Sequence, residues 1–187
     1  MSQNNIKEVL KGNPVIPVVT FNNLSEVDSV AERLQIQGIK CIEVTLRTRV
    51  AISCIEYLKE RYGNMIKIGV GTVVQPHQVK IVEDLNVDFI VSPGLSDKLA
   101  EAFIESKLPF LPGVSTPSEI IAAIEHGFDV LKFFPAHLFG GVNALKAYGQ
   151  LFPTLKFCPT GGITESNHKE FLQLDNVIAV GGSWIIK

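Results

Sequence analysis

The sequence predicts an α/β chain built as a closed (β/α)8 barrel, on three observations. Short apolar segments alternate eight times with amphipathic stretches, recurring about every 20 to 28 residues, the rhythm of linked βα units. No low-complexity or strongly linker-like stretch interrupts the repeat, so one domain over residues 1–187 is expected. Polar residues and glycine pairs gather just after the strand segments, where a barrel places its site. A doubly wound open sheet is the alternative, but it usually has fewer strands. The chain is short for a barrel, whose usual lower end is about 200 residues. It also stops at Lys187, directly after the eighth strand, so the outer helix following that strand is missing from the expected plan.

The elements follow in order. Residues 4–11 read as a short leading helix, and Val15-Ile16-Pro17-Val18-Val19-Thr20 as the first strand. Ser25-Glu26-Val27-Asp28 opens an amphipathic helix that runs to Gly38, a usual helix stop. Residues 39–46 form the second strand, and a helix over 50–62 ends at Gly63. Residues 67–72 are the third strand, and Pro76 sits in the first turn of the next helix. A fourth strand covers 88–92, with a helix over 97–106. Phe110-Leu111-Pro112-Gly113 is the fifth strand, short and proline-bearing, and Thr116-Pro117-Ser118-Glu119 starts a helix that ends at Gly127. The sixth strand lies within Asp129-Val130-Leu131-Lys132-Phe133-Phe134-Pro135-Ala136, followed by a helix over 141–149. The seventh strand is 155–158, a helix spans 165–174, and the eighth strand is 177–180.

Composition excludes several classes of function. With 46% hydrophobic and 19% charged residues the chain is globular rather than disordered. Its net charge of −2 offers no basic surplus for nucleic acid. Residues 1–11 are polar and lack the apolar core of a signal peptide. No apolar run approaches the roughly 18 residues of a membrane span. Cys41, Cys54 and Cys158 are odd in number and far apart, which fits reduced thiols in the cytoplasm. Neither a nucleic-acid nor a membrane partner is expected.

The chemistry centres on Lys132. It sits in a short apolar strand with Leu131 before it and Phe133 after it. A lysine is rarely fully buried unless paired. Desolvation disfavours the ammonium, and a neutral amine attacks carbonyls to form Schiff bases. The alternative is a lysine that snorkels out at the strand end. On the second strand, Glu43, Thr45 and Arg47 share one face and Ile42, Val44 and Leu46 the other. A surface strand turns such a polar face to solvent. A parallel barrel strand turns its apolar face to the helices, so the polar face looks inward, where an unpaired Glu or Arg is costly.

The remaining strand ends carry weaker signals. Gly69-Val70-Gly71-Thr72 is no dinucleotide fingerprint, since Val74 stands where a third glycine belongs. It reads either as small residues easing a crowded interior or as a hydroxyl at the strand mouth. Ser92-Pro93-Gly94 is most simply a turn. Gly161-Gly162 and Gly181-Gly182-Ser183 follow the seventh and eighth strands. There barrels often bind phosphate through backbone amides and local helix N-termini. His77, His126 and His168 fall in or near helices, and His137 follows the Lys132 strand; no metal-ligand cluster appears. That pattern favours chemistry at an amine over chemistry at a metal ion.

Together these stretches resemble the family of 2-keto-3-deoxy-6-phosphogluconate (KDPG) and 4-hydroxy-2-oxoglutarate (KHG) aldolases. The matching motifs are Glu43-Val44-Thr45-Leu46-Arg47-Thr48, Gly71-Thr72-Val73, Ser92-Pro93-Gly94-Leu95 and Pro112-Gly113-Val114-Ser115-Thr116. Lys132-Phe133-Phe134-Pro135-Ala136, Cys158-Pro159-Thr160-Gly161-Gly162-Ile163 and Gly181-Gly182-Ser183-Trp184 complete them. The resemblance implies a class I aldolase on a TIM barrel, homotrimeric, acting on a small keto acid without cofactor or metal. It makes Lys132 the Schiff-base lysine and Glu43 the general acid/base. Arg47, Thr72 and Thr160 hold the carboxylate and carbonyl end, Pro93 and Phe134 line the pocket, and Gly161, Gly162, Gly182 and Ser183 bind phosphate. The sequence departs from the family in ending soon after Gly-Gly-Ser-Trp, and in the bulkier, more apolar loop at 137–139.

Overall fold

The structure, a computed structural model, describes residues 5–186. The strands are β1 (Val15–Val19), β2 (Cys41–Thr45), β3 (Lys67–Gly71), β4 (Phe89–Val91), β5 (Phe110–Leu111), β6 (Gly113–Val114), β7 (Val130–Phe133), β8 (Lys156–Pro159) and β9 (Val180–Gly182). Helix α1 (Ile6–Leu10) precedes β1; α2 (Glu26–Ile36), α3 (Ala51–Tyr62), α4 (Pro76–Asp84), α5 (Asp97–Glu105), α6 (Pro117–Glu125), α7 (Gly141–Leu151) and α8 (His168–Leu172) alternate with the strands. The leading helix is thus shorter than expected, and Asn4 lies outside the described residues.

Each ladder between these strands is parallel. Six strands form one sheet in the order β5-β4-β3-β2-β1-β9, and three form another, β6-β7-β8. The expected fifth strand is therefore two strands. Pro112 has no N–H to give to a ladder, so pairing stops at Leu111 and resumes at Gly113 on the second sheet. The Pro112 carbonyl still accepts from the Lys132 amide at 2.8 Å, which ties the break to β7. At the other side, isolated parallel bridges Phe157↔Val177 and Thr160↔Gly181 link β8 to the β9 segment. The last strand also falls later than 177–180, because β1 pairs with residues from Val180 onward, as in Val15↔Val180 and Pro17↔Gly182. The architecture is a curled parallel sheet with helices along its outer face.

Local chemistry sets the helix ends. α6 opens with a reciprocal cap: Thr116 Oγ1 accepts from the Glu119 amide at 3.4 Å, and Glu119 Oε2 accepts from the Thr116 amide at 2.9 Å. α8 is shorter than the expected 165–174. Asn167 Oδ1 accepts from the Thr164 amide at 2.8 Å and its Nδ2 donates to the Gly162 carbonyl, so a side-chain turn replaces the first helical turn.

Two apolar cores divide along strand parity. Ile42, Val44, Ile68, Val70, Leu131, Phe133 and Phe157 pack outward with helix residues such as Val27, Ile55 and Phe103. Ile16, Cys41, Phe89, Val91, Leu111, Val130 and Cys158 form the inner core, closed at one end by Ile6, Val9 and Leu10 of α1. Burying these three side chains, at roughly 1.5–3 kcal/mol each, holds a helix too short to persist alone. The plug stands at the N-terminal strand ends. Going toward the C-terminal ends, the inward side chains become polar.

Candidate active site

β2 turns Cys41, Glu43 and Thr45 inward, and β7 turns Val130 and Lys132 inward from the second sheet. Lys132 and Glu43 lie 89 residues apart in sequence, yet Lys132 Nζ is 3.0 Å from Glu43 Oε1 and 3.3 Å from Oε2. Lys132 is 5% exposed and Glu43 4%, so this ion pair is shielded from solvent. Two charges taken out of water are tolerable only when paired; removing one partner of such a pair costs about 3–5 kcal/mol. Lys132 does not snorkel to the surface. The Phe134 ring, 5.2 Å from Nζ, adds a cation–π contact.

The glycines before Thr72 make this pair possible. A Cβ on Gly71 would stand 2.1 Å from Glu43 Oε1, and one on Gly69 2.1 Å from the Phe89 ring. Both positions therefore relieve a crowded interior, and at Gly71 the space goes to the carboxylate. Thr72 follows with φ 64, a strained conformation for a β-branched residue.

A cleft of about 430 Å³ opens beside the pair: Phe134, whose ring is 5.2 Å from Lys132 Nζ, lines it, whereas Lys132 and Glu43 themselves do not. It brings together the predicted site residues Arg47, Phe134, Thr160, Gly161, Gly162, Gly182 and Ser183. Thr72 and Pro93 are not among its lining residues. Pro93 instead presses on β6: a Cβ on Gly113 would come 2.3 Å from the Pro93 carbonyl carbon. Ser92 Oγ accepts from the Gly113 amide at 3.3 Å and fixes that turn.

The glycine pairs differ from one another. Gly161 and Gly162 have φ 93 and 71, and a Cβ on Gly162 would strike His137 at 2.3 Å, so this loop admits only glycine without strain. Gly181 and Gly182, expected as a loop, belong to or border strand pairing; a Cβ on Gly181 would lie 2.4 Å from Thr160 Oγ1. Of the helices near these loops, α8 offers little to an anion. It has 5 residues and starts beyond the Asn167 turn, whereas a 3-10 turn over Trp184–Ile186 begins directly after Ser183. Arg47 supplies a cation to the same cleft, although the glycine stretches carry none.

The inner thiols are poor rival nucleophiles. Burial, opposed by the nearby Lys132 ammonium and reinforced by Glu43, leaves the Cys158 thiol pushed up to about 12. Burial and the neighbouring Cys158 likewise push Cys41 up to about 12. Both stay protonated at neutral pH.

Sequence reasoning did not nominate Thr20 and Thr45. Their hydroxyl oxygens are 2.7 Å apart, Thr45 is buried, and Thr20 lines the cleft. The signal was the parity series Glu43, Thr45, Arg47; finding Thr20 also requires the β1–β2 register, which pairs Val18 with Glu43 and Val19 with Val44.

Comparison with known proteins identifies the family. The family described as KDPG and KHG aldolase matches residues 6–187. The KHG/KDPG aldolase of Escherichia coli is 38% identical over 180 residues, covering 96% of this chain and 84% of that protein. The KDPG aldolase of Legionella pneumophila, solved with pyruvate captured as a covalent carbinolamine intermediate, is 43% identical with a TM-score of 0.92, over 95% of this chain and 86% of that one. The Zymomonas mobilis KDPG aldolase, solved with 3-phosphoglycerate, is 35% identical with a TM-score of 0.93, over 97% and 86%. With sequence and fold matched over nearly its whole length, this chain belongs to the KDPG and KHG aldolase family.

Proposed function

We propose that this chain is a class I aldolase that cleaves 2-keto-3-deoxy-6-phosphogluconate to pyruvate and glyceraldehyde 3-phosphate. Cleavage of 4-hydroxy-2-oxoglutarate to pyruvate and glyoxylate is a second activity. The observation that carries this reading is the buried Lys132 amine, 3.0 Å from the Glu43 carboxylate and next to the cleft-lining Phe134 ring.

The mechanism uses both groups. Glu43 first takes a proton from the Lys132 ammonium, the freed amine attacks the C2 ketone of the substrate, and Glu43 then relays that proton and a second one shed by the nitrogen to the carbinolamine oxygen. Water leaves and an iminium forms. Glu43 then removes the C4 hydroxyl proton, the C3–C4 bond breaks into the iminium, and the aldehyde departs. The enamine is reprotonated at C3, and water hydrolyses the new iminium to pyruvate and free Lys132. Arg47, with Thr160 and Thr72, holds the carboxylate and carbonyl so that the ketone is presented for attack. Support for Thr72 lies in its strained backbone, directly after the glycine that packs on Glu43. Phe134 forms a wall over the amine, and Pro93 supports the adjoining wall through β6.

The test is mass spectrometry after pyruvate and borohydride. One reduced pyruvate adduct is expected, together with aldehyde release from the phosphorylated substrate. Carbon dioxide from oxaloacetate without aldehyde release indicates a decarboxylase. Binding with neither adduct nor turnover indicates a phosphosugar-acid binder.

Phosphate binds at Gly161, Gly162, Gly182 and Ser183. Ser183→Asp is expected to lower kcat/KM on the phosphorylated substrate roughly 10- to 100-fold, since like charges a few ångströms apart repel by a few kcal/mol even when partly screened. The loss on 4-hydroxy-2-oxoglutarate should be much smaller. Equal losses on both substrates mean that Ser183 supports the mouth generally and holds no phosphate.

The finer architecture belongs to the same proposal. The two sheets, joined through Pro112 and the Thr160↔Gly181 bridge, act as one (β/α)8 barrel in a single aldolase domain over 1–187. The chain works in the cytoplasm, in keeping with free cysteines at 41, 54 and 158. It assembles as a homotrimer, supported by exposed Ile121 and Ile124 on α6 and Leu138 and Phe139 near α7. Light scattering in solution is expected to give three times the chain mass; a monomeric mass overturns the trimer.

A further inference from the structure

We propose that Thr20 determines substrate specificity: its hydroxyl, positioned by Thr45, binds the C5 hydroxyl of the phosphorylated substrate. This inference rests on the aldolase reading above and adds a contact that the resemblance does not assign.

The first support is the hydroxyl pair. Thr20 Oγ1 and Thr45 Oγ1 are 2.7 Å apart, Thr45 is 1% exposed, and Thr20 lines the cleft. A hydroxyl has one donor and two acceptor sites. The bond to Thr45 occupies one site on Thr20 and leaves the rest for a ligand. Thr45 is thus a positioning residue that holds the Thr20 rotamer without reaching the cleft lining.

The second support is strand order. β1 lies between β2, which carries Glu43, and β9, which carries Gly182. Continuing the register Val18↔Glu43 and Val19↔Val44 places Thr20 beside Thr45. That is two residues beyond Glu43, or about 6.6 Å nearer the mouth. Thr20 therefore stands directly after the end of β1, between the Glu43 strand β2 and the glycine-bearing β9.

The third support is the substrate itself. Joined to Lys132 at C2 and held by its phosphate at Gly161, Gly162 and Ser183, it must lay its middle carbons along this stretch. Glu43 takes the C4 hydroxyl. The C5 hydroxyl then needs a partner on the wall it crosses. The cleft-lining side chain of β1 itself is Val18, which offers none.

The experiment compares two aldehydes in condensation with pyruvate: glyceraldehyde 3-phosphate and 3-phosphooxypropanal, which lacks the hydroxyl that becomes C5–OH. The readout is the ratio of their kcat/KM values. A site built to bond a hydroxyl discriminates strongly against the analogue without it. Wild type is expected to favour glyceraldehyde 3-phosphate, and Thr20→Val to shrink the ratio about 10- to 100-fold. Thr20→Ser, which keeps the hydroxyl, should restore most of it. Thr45→Val should shrink it in part, as expected of a positioning residue. A ratio unmoved in folded Thr20→Val, or lost equally in Thr20→Ser, overturns the assignment. The wild-type pyruvate–borohydride adduct separates the two levels. If it forms while the ratio is unmoved, only the Thr20 inference falls. If it does not form, the aldolase reading falls and this inference with it.

Discussion

Lys132→Ala is expected to yield no borohydride-trapped pyruvate adduct and to lose turnover on the order of 10⁶-fold, the scale seen when a covalent nucleophile is deleted. Its effect must be separated from damage to the fold, because the substitution leaves Glu43 buried without its cation at a cost of about 3–5 kcal/mol. Lys132→Arg makes that separation. It restores a cation opposite Glu43, but a guanidinium stays protonated and cannot attack a ketone. Both variants should therefore lose adduct and turnover, while circular dichroism and thermal melting show Lys132→Arg closer to wild type. Peptide mapping of the wild-type adduct completes the test. A label on Lys40, just before β2, or on Lys67 or Lys156, at the starts of β3 and β8, would remove Lys132 from the centre of the mechanism.

Much of this arrangement was legible in the sequence because period-two alternation reports which strand face meets the helices. The series Glu43, Thr45, Arg47 against Ile42, Val44, Leu46 led correctly to a carboxylate pointing inward, and apolar neighbours of Lys132 led to a buried amine. Alternation does not report how far along its strand a residue meets a neighbour. The 3.0 Å approach of residues 43 and 132 depends on strand pairing across two sheets. The same limit hid Thr20, whose role follows from register with β2. Pro112 was visible as a proline in a strand, yet that it ends one ladder and starts another depends on which strands flank it. Gly181-Gly182 read as lying just past the eighth strand; in the structure the pair is within β9, where Gly181 comes within contact of Thr160 while Gly182 still lines the cleft. Turn-forming and packing glycines look alike in sequence and separate only when the opposing atoms are known.

Glu43→Gln is expected to slow aldol cleavage about 100- to 10,000-fold, the usual worth of a positioned general acid/base. Gln keeps the shape and leaves an amide oxygen as acceptor for Lys132 Nζ, so the interior stays filled and pyruvate should still bind. Both Glu43 oxygens now lie within 3.3 Å of Nζ, close enough to accept the proton that the amine sheds. Adduct formation in the variant should consequently slow along with turnover rather than after it. Gly71→Ala tests the same role without touching the carboxylate. Its new methyl would fall 2.1 Å from Oε1 and must push the carboxylate aside, at a typical overpacking cost of about 1–3 kcal/mol. If distance from Nζ is what matters, Gly71→Ala lowers the rate of adduct formation while keeping the charge of Glu43. Near-normal cleavage by Glu43→Gln would move the proton shuttle to another group. Loss in Glu43→Gln with full activity in Gly71→Ala would mean that the carboxylate reaches the substrate without being held against Lys132.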